Sequence, residues 1–380
     1  MRSKFLVLLA FLYAAGAQAH KPSDSYLAIS IEGAAVRGQW DIALRDLEFA
    51  IGLDSNGDGA ITWGELRARR GEIEAYAFAR LKINSDGKAC TVAGTELLVD
   101  DHSDGAYAAL RFGADCGAVG GLPASPPASL EVVYSLFFDL DPTHRGLLRF
   151  ERGGAAQTGV LSPERPRLAF RAGEESALSQ FFDYLREGVW HIWIGFDHIL
   201  FLLSLLLPSV LILKGKTWNP AERFRDTFWD VFRVVTSFTV AHSITLSLAA
   251  LSVISLPSRL VESTIALSVL LAALNNLWPV VAERRWAVAF AFGLIHGFGF
   301  ASVLADLGLP QGALLLALVG FNLGVEAGQL AIVTAFLPFA YALRGSWFYR
   351  RLVFAGGSAA IALVAAVWLT ERSLDVKLWP

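Results

Sequence analysis

The chain has 380 residues, 54% of them apolar and 18% charged, with a net charge of −3. This is too apolar for one soluble domain and too charged for a pure membrane bundle, and the weak negative balance without a long basic block excludes nucleic acid as a partner. Acids, glycines and turn signals concentrate before about residue 180 and long apolar runs follow 190, so two parts of different character are expected.

Residues 1–19 join basic Arg2 and Lys4 to an apolar stretch from Phe5 to Ala15 and a small-residue ending, Ala17-Gln18-Ala19, the pattern of a secretory signal peptide. Export places residues 20–175 in a periplasm, where Cys90 and Cys116, the two cysteines of the chain, are expected to pair as a disulfide. Cleavage after Ala19 would leave His20 at the front, where amine and imidazole together could chelate a metal if further ligands joined them.

Tyr26 to Glu32 alternates as a strand does, and Ile42 to Ile51 has helical spacing. Residues 54–65 then place Asp54, Asn56 and Asp58 at alternating positions, with Gly59 sixth, the Ala60 carbonyl seventh, Thr62 ninth and Glu65 twelfth. This resembles the calcium loop of an EF-hand, whose spacing wraps the chain around one hard cation; the competing reading is a plain turn between two helices. A helix from Leu66 to Leu81 would complete the flanks, and with no second such loop a structural Ca2+ is expected rather than a paired sensor.

From Lys82 to Leu168 the pattern predicts short strands at Thr91–Val99, Tyr107–Phe112, Leu130–Leu140 and Gly146–Phe150, separated by turn signals. His102 and His144 fall in loop-like polar surroundings and are expected to be solvated. Residues 176–190, with Phe181, Phe182 and Trp190, read as an interfacial linker helix.

Six spans are predicted: about 191–213, 231–252, 259–281, 286–307, 312–340 and 351–370, with 371–380 as a tail. Basic residues follow the first, third and fifth of them (Lys214, Arg223, Arg225; Arg284, Arg285; Arg344, Arg350, Arg351), so those loops are expected in the cytoplasm of a bacterial inner membrane and both termini outside. The expected fold is an α-helical bundle of six transmembrane helices in a lipid bilayer, preceded by a small β-rich α+β domain with an EF-hand-like loop.

Polar residues inside these spans carry the chemistry. They are His191, Asp197 and His198 in the first, His242 with Ser243 and Thr245 in the second, Glu262, Ser263, Asn275 and Asn276 in the third, His296 in the fourth, and Asn322, Glu326 and Gln329 in the fifth. His191 and His198, seven apart, are expected on one helical face, as are Asn322, Glu326 and Gln329. Gly293 with Gly297, and Gly320, Gly324 and Gly328, form small-residue ridges for close helix packing. The sixth span holds only Ser358 in its interior and is expected as a peripheral wall. At about 1.5 Å per residue, His191 and Glu262 would form an outer mouth, Asp197, His198, His242 and His296 a central site, and Asn322 and Glu326 its supporting ligands or proton acceptors.

Four of the seven histidines thus lie where ionisable groups are rarest. With no cysteine in the bundle, imidazole and carboxylate suit Ni2+, Co2+, Zn2+ or Fe(II) rather than Cu(I). The spacing His191-x5-Asp197-His198 resembles the signature of the HupE/UreJ family, membrane proteins associated with hydrogenase and urease and regarded as nickel permeases. The likeness extends over 190–335 through His242-Ser243-Ile244-Thr245-Leu246, the stretch Glu262 to Ser268, the stretch Phe292 to Phe300 around His296, and Phe321-Asn322-Leu323-Gly324-Val325-Glu326. It implies six spans and the handling of a divalent transition metal, nickel or cobalt foremost, with His191, Asp197, His198 and His296 as functional residues. Phe292 and Gly299 stand where the compact permeases carry a histidine and a glutamate. Two other classes stay open: an intramembrane Zn2+ hydrolase acting on a lipid through His198, His242, His296, Asp197 and Ser243, and a periplasmic sensor or accessory protein with an inert bundle.

Overall fold

The computed structural model describes residues 23–374, except 34, 103–104, 118–126, 154, 172–176, 216, 282 and 300–310, together with 376 and 378. The segment 1–19 and His20 lie outside the described residues, as does most of the tail. Two units divide between Asp183 and Tyr184.

The first unit runs β1 (Asp24–Glu32), β2 (Ala35–Ala43), α1 (Leu44–Ile51), α2 (Trp63–Ala68), α3 (Arg70–Phe78), β3 (Leu81–Ser85), β4 (Lys88–Ala89), β5 (Thr91–His102), β6 (Gly105–Asp115), β7 (Ser129–Tyr134), β8 (Arg145–Arg152), β9 (Ala155–Leu161) and β10 (Arg167–Arg171). Six strands form one sheet in the order β5-β6-β2-β1-β8-β9, and four form another, β10-β7-β3-β4. Within the larger sheet, β1 pairs antiparallel with β2 and parallel with β8. Alternate residues of both sheets, Leu27, Ile29, Trp40, Ile42, Leu110 and Phe112 from one and Ile83, Leu130 and Val132 from the other, enter a single apolar core. Gly38 is required there, because a Cβ would lie 2.2 Å from the Phe112 ring. Cys90 and Cys116 are joined as a disulfide.

Several sequence expectations are revised. Ile42 and Ala43 continue β2, so the first helix starts at Leu44. The helix expected from Leu66 to Leu81 is two, interrupted at Arg69, whose φ of −92° and ψ of 5° leave the helical region. The strand expected to reach Leu140 stops at Tyr134, and the chain turns through Phe137 at φ 56°. Neither His102 nor His144 is solvated. His102 ends β5 and stacks on Tyr26, whereas His144 is fully buried among Phe137, Tyr134 and Phe138. Sequence position suggested loops, but each ring has found an aromatic wall and a polar partner, which lowers the cost of burying it.

The second unit contains α4 (Ala177–Ile194, from Tyr184 onward), α5 (Phe196–Leu206), the hairpin β11 (Leu211–Lys214) with β12 (Thr217–Pro220), α6 (Phe224–Ala250), α7 (Ser258–Leu277), α8 (Arg285–His296), α9 (Gln311–Leu343, from Leu318 onward) and α10 (Phe348–Leu374). Four helices, α6, α7, α9 and α10, are long and apolar enough to cross a membrane, and α4 with α5 makes a fifth if the pair, bent by 71°, counts as one span. Leu260, Leu271, Leu323 and Leu363 are exposed on these helices, as lipid contact requires.

The span expected at 191–213 is therefore displaced and broken. Its helix begins well before His191, bends at Gly195, and gives way to β11 where Ile212 and Leu213 were expected to be helical. The span expected at 286–307 is represented by the 12-residue α8, and its continuation from 300 lies outside the described residues.

Glycines of both expected ridges make close helix contacts. A Cβ on Gly324 would stand 2.0 Å from the Leu185 carbonyl oxygen and one on Gly188 2.0 Å from that of Phe321, so α4 and α9 touch backbone to backbone. Gly293 and the capping Gly297 bring α8 close to α6, where a Cβ would lie 2.6 and 2.4 Å from the carbonyl oxygens of Phe238 and His242.

Candidate metal centre

The bend at Gly195 builds the site. A Cβ on Gly195 would lie 2.6 Å from the His191 carbonyl oxygen and 3.0 Å from His198 Nδ1, so only glycine lets the chain leave α4 and start α5 here. His191 and His198 consequently belong to different helices rather than to one helical face. Their rings nevertheless meet, with centroids 4.6 Å apart. Discontinuous helices of this kind recur at ion sites in membranes, because the freed helix ends can be satisfied only where protein or ligand replaces lipid.

Two further histidines complete the group. His242 from α6 stands 6.4 Å from His191 and 6.2 Å from His198, and His296 from the end of α8 stands 5.2 Å from His198, centroid to centroid. Phe238 packs against His198, His242 and His296, while Phe201 covers His296 and Phe321 covers His191. His198, His242 and His296 are buried.

Hydrogen bonding fixes which nitrogens are available. Asp197 is in the first turn of α5, where a carboxylate is favoured, and its Oδ1 accepts from the His198 backbone N–H at 2.8 Å and from His198 Nδ1 at 2.9 Å. With Nδ1 as donor, His198 Nε2 carries the lone pair, and it has no hydrogen-bond partner. Ser268 donates its single hydroxyl proton to the Ile265 carbonyl at 2.7 Å, so its oxygen must accept from His296 Nε2 at 2.8 Å. That leaves the lone pair of His296 on Nδ1, buried and without a hydrogen-bond partner. Neither ring nitrogen of His242 has such a partner.

The remaining expected ligands have hydrogen-bond partners outside this group. Glu262 accepts from Ser258 Oγ at 2.7 Å, at the start of its own helix. Glu326 accepts from Thr236 at 2.8 Å, and Gln329 from Thr239 at 3.3 Å, so the polar stripe of α9 joins α9 to α6. Asn322 donates to Leu318 O in its own helix at 2.8 Å, leaving its Oδ1 buried without a partner beside Phe321. Asn276 donates to Ser204 O and Ser358 Oγ, a packing role, while Asn275 closes the end of α7 by donating to Val281 O.

The family described as HupE / UreJ protein matches residues 169–372, more than half of the chain. The chain belongs to the HupE/UreJ family. A comparison with curated proteins finds no match. This HupE/UreJ protein is accordingly a multi-pass membrane protein, and the matched region contains the whole histidine group.

Sequence reasoning missed Ser268 and Arg372. Ser268 lies in the stretch that carries the family likeness, but a serine in an apolar helix more often bonds its own backbone. Arg372, at the end of α10, approaches Asp197 Oδ2 at 3.7 Å and donates to the Glu262 carbonyl at 3.3 Å. The last span is thus not only a wall. Its charged terminus is next to the site, and Ser358 binds the core asparagine.

In the first unit, the side-chain oxygens of Asp54, Asn56 and Asp58 accept from the backbone of their own loop. Asp54 accepts from the N–H groups of Gly57 and Gly59 (2.7 and 2.8 Å), Asn56 from Asp58 and Asp58 from Ala60, with Gly57 and Gly59 at φ 73° and 83°. Glu65 caps α2, accepting from Thr62 N and Oγ1 on one oxygen and from Ser55 on the other. These bonds hold its carboxyl at about 2, so it is ionised at neutral pH. The donor set, all oxygen with three carboxylates among it, fits Ca2+.

Proposed function

We propose that the helical unit passes a divalent transition metal, Ni2+ or Co2+ first, across the membrane by way of His191, His198, His242 and His296, with Asp197 orienting His198. The observation that carries this reading is the set of lone-pair nitrogens at His198 Nε2, His296 Nδ1 and His242, held in a buried interior with no hydrogen-bond partners. Leaving such atoms unsatisfied costs about 1–3 kcal/mol each, a burden more readily retained where an ion takes up the lone pairs. Membership of the HupE/UreJ family supports the same ion class.

The four imidazoles are also looser than a closed structural site. Among the described residues, none of the trios that could be drawn from them has ligand atoms all within 4.8 Å of one another. An ion that must leave again suits such spacing better than one bound permanently. In this reading Glu262 guards the entrance and Asn322 and Glu326 assist as secondary oxygens or proton acceptors. The first unit is exported by residues 1–19, lies in the periplasm, and holds Ca2+ in the loop 54–65 through Asp54, Asn56, Asp58, the Ala60 carbonyl, Thr62 and Glu65.

Uptake of radioactive nickel and cobalt into vesicles tests the proposal, comparing the natural protein with His198→Ala/His296→Ala. Uptake that depends on both histidines is expected. Stoichiometric, tightly held zinc lost in the variant, with no uptake by the natural protein, would overturn transport in favour of hydrolysis.

A further inference from the structure

We infer that Asp41, Asp100 and His102 form a second transition-metal site, on the six-stranded sheet of the first unit, for a late first-row divalent cation: Co2+, Ni2+ or Zn2+. The site is made of residues other than those of the helical unit, and the inference stands independently of the transport reading.

Strand geometry brings the three together. Asp100 and His102 alternate on β5 and therefore share a face. Asp100 is opposite Tyr107 of β6, and two residues along the same face Leu98 is opposite Ala109, itself paired with Asp41 of β2. His102, opposite Gly105 at the hairpin end, stacks on Tyr26 with centroids 4.4 Å apart and an interplanar angle of 6°, and contacts Tyr107 at 4.4 Å. The aromatic walls orient the imidazole so that Nε2 lies 3.2 Å from Asp41 Oδ2. One ligand atom from each of Asp41, Asp100 and His102 lies within 4.8 Å of the others, the tightest such grouping among the described residues.

Distance and charge both favour an ion. Ligands bound at about 2.0–2.1 Å around one metal stand roughly 3.0–3.4 Å apart, and the His102–Asp41 separation of 3.2 Å already has that value. Asp41 is buried at 8% exposure, yet its partners among the described residues are Gln39 Nε2 at 2.9 Å and His102, with no Lys or Arg. Among the described residues, Asp100 accepts the Asp101 N–H. Arg111, on the adjacent strand β6, is bound to Glu96 and Gln39 instead. Two carboxylates brought together without a fixed cation repel, and a divalent ion balances them.

The ligand set selects the ion. One imidazole with two carboxylates suits Co2+, Ni2+ or Zn2+; three protein ligands are too few for Ca2+, which takes six to eight oxygens. Three ligands leave positions for water, and Asp100 is exposed, so the site can load and unload from solvent.

The test is equilibrium dialysis and calorimetry on the full-length protein in detergent, with millimolar Ca2+ present to occupy the loop 54–65. The background is His198→Ala/His296→Ala, so that the helical site does not contribute. One equivalent of Zn2+ or Ni2+ should remain bound in that background, weakened at least ~10-fold by Asp100→Asn and lost with His102→Ala. Co2+ should give a ligand-field spectrum that Asp100→Asn alters. Asp100 is exposed, so its variant keeps the fold and decides the matter even if His102→Ala destabilises the sheet. Binding within twofold of the background after Asp100→Asn, or no binding by the background protein, would overturn the site and leave His102 and Asp41 as an ordinary hydrogen-bonded pair. Failure of the transport reading would show elsewhere, as uptake unaffected by His198→Ala/His296→Ala.

Discussion

Arg372 reaches from the end of α10 to within 3.7 Å of Asp197 Oδ2, the carboxylate that orients His198 through its other oxygen. A fixed positive charge here neutralises Asp197 and opposes an arriving divalent cation. At an effective dielectric of about 20 and a separation of about 8 Å, the repulsion is on the order of 4 kcal/mol before relaxation and screening. Arg372→Gln is therefore expected to tighten equilibrium binding of Ni2+ by ~3–10-fold while slowing its release, and Arg372→Lys to preserve both. Dialysis against labelled nickel, paired with vesicle efflux, reads the two effects. Weaker binding in Arg372→Gln would show that the arginine acts by holding Asp197 in place.

Ser268 sets the tautomer of His296 by accepting from Nε2. Ser268→Ala removes that acceptor and lets the ring carry its proton on Nδ1, the nitrogen facing the group, so metal binding should weaken by roughly 10-fold. Ser268→Thr retains the hydroxyl and should keep most of the affinity. A Co2+ spectrum unchanged in Ser268→Ala would remove the serine from the site.

Gly324 and Gly188 are a separate, mechanical matter. Either one substituted by alanine drives a methyl into a carbonyl oxygen, and the helices must part to admit it. A loss of about 3 kcal/mol or more is expected from overpacking of this kind, visible as lower detergent-solubilised yield and melting temperature. Alanine at Gly71, where nothing lies within 4 Å of the added carbon, should have no such cost.

How much of this was legible in the sequence depended on range. The calcium-loop spacing, the cysteine pair, the glycine ridges and the four membrane histidines are local patterns or compositional oddities, and each can be seen without knowing the fold. The break at Gly195 was not legible, because a glycine in an apolar run is compatible with a straight helix. What decides it is the crowding of His191 O and His198 Nδ1 around its Cα. Arg372 and Ser268 were invisible for a similar reason, since their partners are over 25 residues away in sequence. His102 and His144 have polar neighbours in sequence that suggest solvent, whereas strand pairing for His102 and the turn just before β8 for His144 bring the rings into aromatic surroundings.

If the loop 54–65 holds calcium as proposed, its removal should loosen the first unit without touching the second. A ligand at 100 times its dissociation constant stabilises the folded state by about 2.7 kcal/mol, so EGTA should lower the melting temperature and raise hydrogen exchange in α1 and α2, which flank the loop. Asp54→Ala should remove the response. Exchange that is the same with and without calcium would mean that residues 54–65 are only a turn.

His144 makes the first unit acid-sensitive, and the sense of the effect follows from one chain of hydrogen bonds. Ser23 donates to Asp46 Oδ2 at 2.8 Å, so its oxygen accepts from His144 Nδ1; Trp40 Nε1 donates to Ser25 Oγ, Ser25 to Tyr134 Oη, and Tyr134 to His144 Nε2. Every proton in the series is accounted for with a neutral imidazole, and a further proton on Nε2 would meet the tyrosine hydroxyl proton. Burial, reinforced by the charges of Arg145 and Arg45, pushes His144 down to about 3 from its ordinary 6.5. Between those values the unfolded chain binds more protons than the folded one. The stability is complete above about 6.5 and declines as the pH falls toward 3, by on the order of 4 kcal/mol over the window. Hydrogen exchange in β7 and β8 should accelerate progressively over that interval. His144→Gln should cost stability at neutral pH and flatten the acid response, and an equally steep response in the variant would assign the sensitivity to the carboxylates instead.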